Sequence, residues 1–273
     1  MRKMRTLIPW VLASAACVPA FGTTVYLGSA NTFGLLGGTI SNTGTSVVTG
    51  NVGVKDASGT ITGFNPTGIT VGGIVYAPGT SASNNAYTDF VNAFNTASGL
   101  ASTQSYNDLT VSRTFIGNNV YTFNLTDIST TTGINLTFDA QNDPTEVFVI
   151  RTAGAFTVNG AMTFTLQNQA QATNIFWIVG TIGTVSVGSS APIAFDGNIL
   201  AGQSFTMSAA SGGSGVLTGT INGCVYAETA NTLAGTTNVS GCSGAGGASV
   251  PEPGSAGLVG LGCLLGILAW RKL

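Results

Sequence analysis

Residues 155–167 read AFTVNGAMTFTLQ. Phe156 and Val158 flank Thr157, and Met162, Phe164 and Leu166 alternate with Thr163 and Thr165, the period of two that marks strands with one buried face. An outer face that needed only solubility would carry Lys, Glu and Asp, which keep strand edges from pairing. Here it carries threonine.

The same pattern recurs through the second half of the chain. EVFVIRTAGAFTV (146–158), NIFWIVGTIGTVSV (174–187), GNILAGQSFTM (197–207) and GCVYAETANTLA (223–234) each run from an almost continuous apolar strand, through a turn with Gly, Ala or Asn, into an alternating strand centred on a hydroxyl. A further alternating strand precedes each: INLTF (134–138), MTFTL (162–166), PIAF (192–195) and VLTGTI (216–221). Three strands per repeat of about 24–29 residues are the signature of a β-solenoid, whose coils bury an interior only by stacking. The three chemistries place one strand on each face of a triangular prism.

The first strand of each repeat (147–150, 175–179, 199–201, 224–227) is apolar on both sides, so its exterior needs a cover. Residues 81–103, SASNNAYTDFVNAFNTASGLAST, supply one long helical pattern. Tyr87, Phe90, Val91, Phe94, Ala97 and Ala101 make its apolar stripe, and Ser81 or Ser83 is placed to cap its start. The helix is expected over about 82–103. It is long enough to span roughly six coils at about 1.5 Å per residue and 4.8 Å per rung. The first coils must come from VYLGS (25–29), FGLLG (33–37), SVVTGNVGV (46–54) and GIVYA (73–77). Their register against the later repeat is not readable, and a chain that leaves for the helix and returns makes the solenoid discontinuous.

The two ends have their own signals. A basic start (Arg2, Lys3, Arg5), an apolar stretch over 7–18 and the small-x-small pattern at 20–22 read as a secretory signal peptide over 1–22. Ser14 stands where lipidation of Cys17 would require an aliphatic residue. At the other end VPEPGSAGLVGLGCLLGILAWRKL combines a Pro-Glu-Pro turn, an apolar run over 254–270 at the short limit of a membrane span, and the basic tip Arg271-Lys272. Residues 250–273 resemble the PEP-CTERM sorting tail of Gram-negative bacteria. That resemblance implies cleavage by an exosortase near Pro251-Glu252-Pro253, a transient or retained membrane anchor, and a secreted or cell-surface location.

Between the signals, residues 23–249 form one domain with a sizeable core. It carries three bases, Lys55, Arg113 and Arg151, against nine acids, a net charge near −6. Phosphate binding needs clustered Lys and Arg, so nucleic acid is not an expected partner. Cys224 and Cys242 are expected to form a disulfide outside the cytoplasm. The chain has no histidine, which removes Ser-His-Asp and Cys-His nucleophiles and imidazole metal sites. Asp139, Asn142, Asp143 and Glu146 in FDAQNDPTE could hold calcium or act as an acid–base pair. Asn and Asp before Pro144 favour a turn instead. No enzyme activity, cofactor or metal is expected.

The hydroxyl strands remain. Thr157, Ser186, Thr206 and Thr232 are expected to stack into one outward column, with Thr152, Thr181, Thr184, Ser204 and Thr229 in the neighbouring turns. Thr137, Thr163, Thr165, Thr218 and Thr220 make a second set on the third face, interrupted by Ala194. Rungs about 4.8 Å apart and same-face residues about 6.6 Å apart along a strand lie near repeats of the ice lattice. Hydroxyls there can anchor waters while methyls restrict their reorientation. The opening VYLGSANTFGLLGGTISNTGTSVVTGNVGV, GITVGGIVYA before a helix, LTFDAQNDPTEVFVI, NIFWIVG and FDGNILAGQSFTM resemble, in that order, the microbial ice-binding protein family. The resemblance implies a right-handed, discontinuous β-solenoid with a helix alongside, and adsorption to an ice crystal through a flat face without catalysis. It favours the face after the helix-covered one: Thr157, Ser186, Thr206, Thr232, Thr152, Thr184 and Thr229. The other reading is a structural or adhesive component of the biofilm matrix, with exopolysaccharide as its partner.

Overall fold

Strands with one buried and one hydroxyl-bearing side pair with neighbours one repeat away, and the chain lays them down in three rows. The computed structural model describes residues 25–64, 68–124, 128–129, 133–159, 162–187, 193–209 and 218–242. The expected signal peptide and sorting tail lie outside them. All strand pairs are parallel, and the described residues contain one α-helix.

The first row holds Gln104–Tyr106, Asn119–Phe123, Phe148–Thr152, Ile175–Val179, Asn198–Ala201 and the start of Val225–Leu233. It continues into the start of Phe33–Asn42 and then Asn51–Val54. The strands that follow in each repeat form the second row: Ile128–Ser129, Phe156–Asn159, Ile182–Val187, Ser204–Ala209, the end of Val225–Leu233, the end of Phe33–Asn42, and Ile61–Thr62. The third row is split. Arg113–Ile116, Ile134–Asp139 and Met162–Gln167 make one sheet, and Ile193–Asp196, Thr218–Asn222, Thr236–Val239, Ser46–Thr49 and Gly68–Val71 another.

The N-terminal coils therefore stack on the last C-terminal coil, Leu35 against Val225 and Ser41 against Thr232. This is the discontinuity the sequence suggested, now with its register. Of the N-terminal strand candidates, VYLGS leads into a 3-10 turn at Gly28–Thr32, and GIVYA contributes a single bridge, Val75 to Val52. The repeat steps from Thr157 to Thr184, Thr206 and Thr232 are 27, 22 and 26 residues, so one coil is shorter than the expected range. The third row breaks at that coil, between Met162–Gln167 and Ile193–Asp196, where the rings of Phe164 and Phe195, 5.1 Å apart, fill the seam.

Alternation within the strands sorts side chains into two apolar clusters. Ile175, Trp177 and Val179 point into the coil with Phe138, Phe156, Phe195, Phe205 and Leu233, whereas Phe176 and Ile178 point outward to the helix side with Val149, Leu200 and Tyr226. This is why Ile175–Val179 is buried at every position. Gly197 sits beside the indole, with φ +119° and room for no side chain, since a Cβ would lie 2.7 Å from Trp177 Nε1. Asn198, fully buried, ties three levels together: its amide donates to Thr173 O and Ile175 O, and its carbonyl accepts from Cys224 N.

The helix spans Ser81–Gly99, four residues shorter at its end than expected. Its buried residues are Ser83, Ala86, Phe90, Ala93 and Ala97, with Tyr87, Val91 and Phe94 at the margins, while Ala101 is exposed beyond it. Ala86 and Ala93 belong to the stripe because small side chains let the helix approach the sheet. Neither serine caps the helix: Thr80 holds the N-cap position, and Ser83 Oγ donates to Val54 O at 2.6 Å. Phe90 anchors the packing edge-on to Tyr226, centroids 5.4 Å apart. Cys224 and Cys242 form the expected disulfide, both buried, Cα atoms 4.9 Å apart. The Tyr226 hydroxyl, its pKa driven well up by burial, donates toward Phe33 O at 2.8 Å and so joins the last coil to the first.

Candidate hydroxyl face

The second row, away from the helix, carries one column of alcohols through every level. Backbone register places Ser129 beside Thr157, Thr157 beside Thr184, Thr184 beside Thr206, Thr206 beside Thr232, Thr232 beside Ser41, and Ser41 beside Thr62. Seven consecutive rungs thus carry Ser or Thr at one register position. Thr157, Thr184, Thr206, Thr232 and Ser41 are partly exposed and Thr62 is exposed, while Phe156, Val158, Phe205, Met207, Leu233 and Ile40 of the same strands are buried in the core. The strand segments of this row contain no Asp, Glu, Lys or Arg.

The hydroxyls of Thr157, Thr184, Thr206, Thr232 and Ser41 hydrogen-bond to no protein atom; Thr62 Oγ1 makes one long contact, 3.5 Å to Ile40 O. An alcohol without a protein partner at a surface offers its donor and two lone pairs to water. On the third row the expected alternatives are differently employed. Thr163 and Thr165 both donate to Asn135 Oδ1, at 3.2 and 3.0 Å. Thr137 lies between Thr114 and Thr165 in one sheet, Thr220 between Ala194 and Asn238 in the other, and Thr218 beside Thr236. The split sheet and the intervening Ala, Asn and Val47 leave no continuous column there.

Three expected positions shift. Thr184, not Ser186, occupies the column; Ser186 pairs with Asn159 and Ser208, one same-face position further along. Thr152 is 6% exposed, because it follows Phe148 and Ile150 at two-residue spacing and points inward. Thr229 is exposed at the bend inside Val225–Leu233, where its carbonyl accepts from Thr39 Oγ1. Ser41 and Thr62, which the sequence does not place, join the column from SNTGT and TITG, stretches with the same alcohol pattern. A parallel column runs beside the first through Ile182, Ser204, Ala230 and Thr39. Its Ile182 is 42% exposed.

The acidic stretch forms a turn. Gln141 and Asn142 have positive φ, Asp139 Oδ1 accepts from Gln141 N and Asn168 Nδ2, and Asp143 Oδ1 accepts from Thr145 N and Oγ1. Those bonds hold both aspartate pKa values below 3.8, whereas burial, and then the charge of Asp143, raises that of Glu146. On the helix side, burial and then Glu228 push Tyr87 up to about 12, and its hydroxyl donates to Glu228 O.

A parallel-stranded, mainly β protein with one flanking helix and an uncharged alcohol column defines a class, and sequence comparison gives its family. Residues 35–239 match the ice-binding-like family model, and the chain belongs to that family. Residues 249–272 match the PEP-CTERM protein-sorting motif. An ice-binding protein of Nostoc sp. (strain HG1) is 34% identical over 182 residues, 66% of this chain and 63% of that protein, so the chain spans less than two thirds of this curated relative. The crystal structure of an ice-binding protein from the Antarctic ascomycete Antarctomyces psychrotrophicus matches with a TM-score of 0.65 and 29% identity, covering 80% of this chain and 98% of that one. That of an ice-binding protein from an Antarctic biological consortium gives 0.64 and 26%, covering 85% and 95%.

Proposed function

We propose that this protein adsorbs to ice through its second row of strands, with Ser129, Thr157, Thr184, Thr206, Thr232, Ser41 and Thr62 as the central column and Ser186, Ser208, Thr39 and Ser204 beside it. The observation that carries this reading is seven alcohols in unbroken register, hydroxyls unpaired at the rungs named above, in strand segments of the second row without a charged residue. Across such a column oxygens recur about every 4.8 Å, and methyl groups beside them keep first-layer water from reorienting freely. Long charged side chains would disorder that layer. Family membership supports the same reading, as do relatives named for ice binding.

The coil is read as right-handed and triangular in section, with the column on a flat side. The sorting motif supports export to the surface or surroundings of a Gram-negative cell, after signal-peptide removal at 1–22 and exosortase processing of the tail, with the anchor either transient or retained. The adsorbing surface lies within residues 23–249 and needs no cofactor. Purified residues 23–249 should show thermal hysteresis and suppress ice recrystallisation. Neither effect at millimolar protein would reject the proposal and return the fold to a cohesive role in an extracellular matrix.

A further inference from the structure

Where the helix ends at Gly99, the corner between the first and second rows is left uncovered as a groove of about 440 Å³, walled by Ser98, Thr122, Asn124, Arg151, Ile178 and Gly180. Arg151 lies in register between Thr122 and Ile178, on the side of the sheet that the helix covers further along. Its Nε donates to Thr122 Oγ1 at 2.7 Å and its Nη1 to Ser98 O at 2.7 Å. A guanidinium has five N–H donors, so three remain. Of the three bases in residues 23–249, Arg113 pairs with Asp108 at 3.2 Å and Lys55 stands beside Asp56. Among the described residues Arg151 has no carboxylate partner, and burial lowers its pKa. A partly buried cation held at its base by two neutral acceptors, its outer edge unused, is a receptor for a planar anion.

We propose that this groove binds a carboxylated sugar unit, a uronate. Its carboxylate pairs with the free edge of Arg151, its hydroxyls with Thr122 and Asn124, and one ring face lies against Ala153 and Gly180. One cation matches a monoanionic carboxylate; a phosphate dianion would call for a cluster of Lys and Arg, which residues 23–249 do not contain. The neutral polar wall and small apolar floor fit a hydroxylated ring. The site is separate from the alcohol column and does not depend on ice adsorption.

The test is titration of the ¹⁵N-labelled chain with sodium glucuronate, glucose, acetate and inorganic phosphate. Glucuronate should move the Arg151 side-chain resonance and the amides of 122–124, 151–153 and 178–180 with millimolar affinity, acetate should bind about 10-fold more weakly, and glucose should have no effect. Arg151→Lys should weaken glucuronate about 10-fold because the fork is lost, and Arg151→Gln should abolish it. Ala153→Leu, at an exposed turn on the groove, blocks the site without touching the guanidinium and should also abolish binding. Absence of any glucuronate effect, binding that survives Arg151→Gln or Ala153→Leu, equal binding of acetate, or tighter binding of phosphate each overturns the assignment.

Discussion

Thr184→Tyr puts the ice-adsorption proposal at most risk. Thr184 is the third of seven rungs, between Thr157 and Thr206, and a phenol ring there stands above the level of the threonine methyls. With rungs about 4.8 Å apart, the ring shades one neighbour on each side. The longest run left is Thr232, Ser41 and Thr62, three rungs in place of seven. Hysteresis should fall below half of the unmodified value. Thr62→Tyr, at the end of the column, shades only Ser41, leaves five rungs and should cost clearly less. The fold should be indifferent: Thr184 is partly exposed and tyrosine favours strands. A surface change of this kind stays within about 0.5 kcal/mol, under about 2 °C in Tm for a domain of this size. Nanolitre osmometry with calorimetry on the same samples checks both statements. Full hysteresis in Thr184→Tyr, or equal loss from Thr163→Tyr on the third row, would refute the assignment.

Ile182→Thr, which replaces the exposed aliphatic of the adjoining column by an alcohol, should raise hysteresis at unchanged Tm. Replacing both Cys224 and Cys242 by Ser reopens a loop of 18 residues, worth about 3 kcal/mol in the chain-entropy model, and should lower Tm by about 6–12 °C in a calorimetric scan. Phe90→Ala, which empties the contact with Tyr226, should cost about 3–5 kcal/mol in urea unfolding. Asp196 has its pKa raised by burial, against a lowering hydrogen bond from Asn222. Its folded form holds the proton more tightly than the unfolded chain does. The linked stability is therefore full below pH 3.8 and lost as pH rises through the folded pKa. Asp196→Asn should stabilise at pH 7 and change nothing at pH 3. Asp139 and Asp143, with lowered values, run the opposite way, so the parent's denaturation midpoint in acid should reflect their loss rather than Asp196.

Much of this was legible because the chemistry is written one row at a time. Ile175–Val179, apolar at every position, announced a strand covered on both sides, and the stripe through Phe90 and Ala97 announced the cover. The exchange of Thr184 for Ser186 was not legible, for a definite reason. Both occupy positions of the same parity in Ile182–Val187, and sliding a strand by two residues leaves every inward side chain inward. Only the hydrogen-bonded ladder distinguishes them. Ala86 and Ala93 lie beside Phe90 and Ala97 on the buried face, a strip centred away from Val91, Phe94 and Ala101, and alanine alone does not tell the centre of a helical face from its margin. Ser41 and Thr62 were out of reach because the strand that gives Ser41 its place, around Thr232, lies 191 residues further along the chain.

That distance governs how the molecule is made. Residues 33–42 precede their parallel partner, 225–233, by about 190 residues, some 10–40 s of synthesis at 5–20 residues per second, and a chain threaded N-terminus first through a membrane delivers them in the same order. Through that interval the early rungs carry an open β edge, the element most exposed to mispairing between nascent chains. Closure of the stack, and with it the full alcohol column, waits for residues 225–233, so a chain truncated before Val225 keeps its first rungs and its later ones as two unjoined pieces.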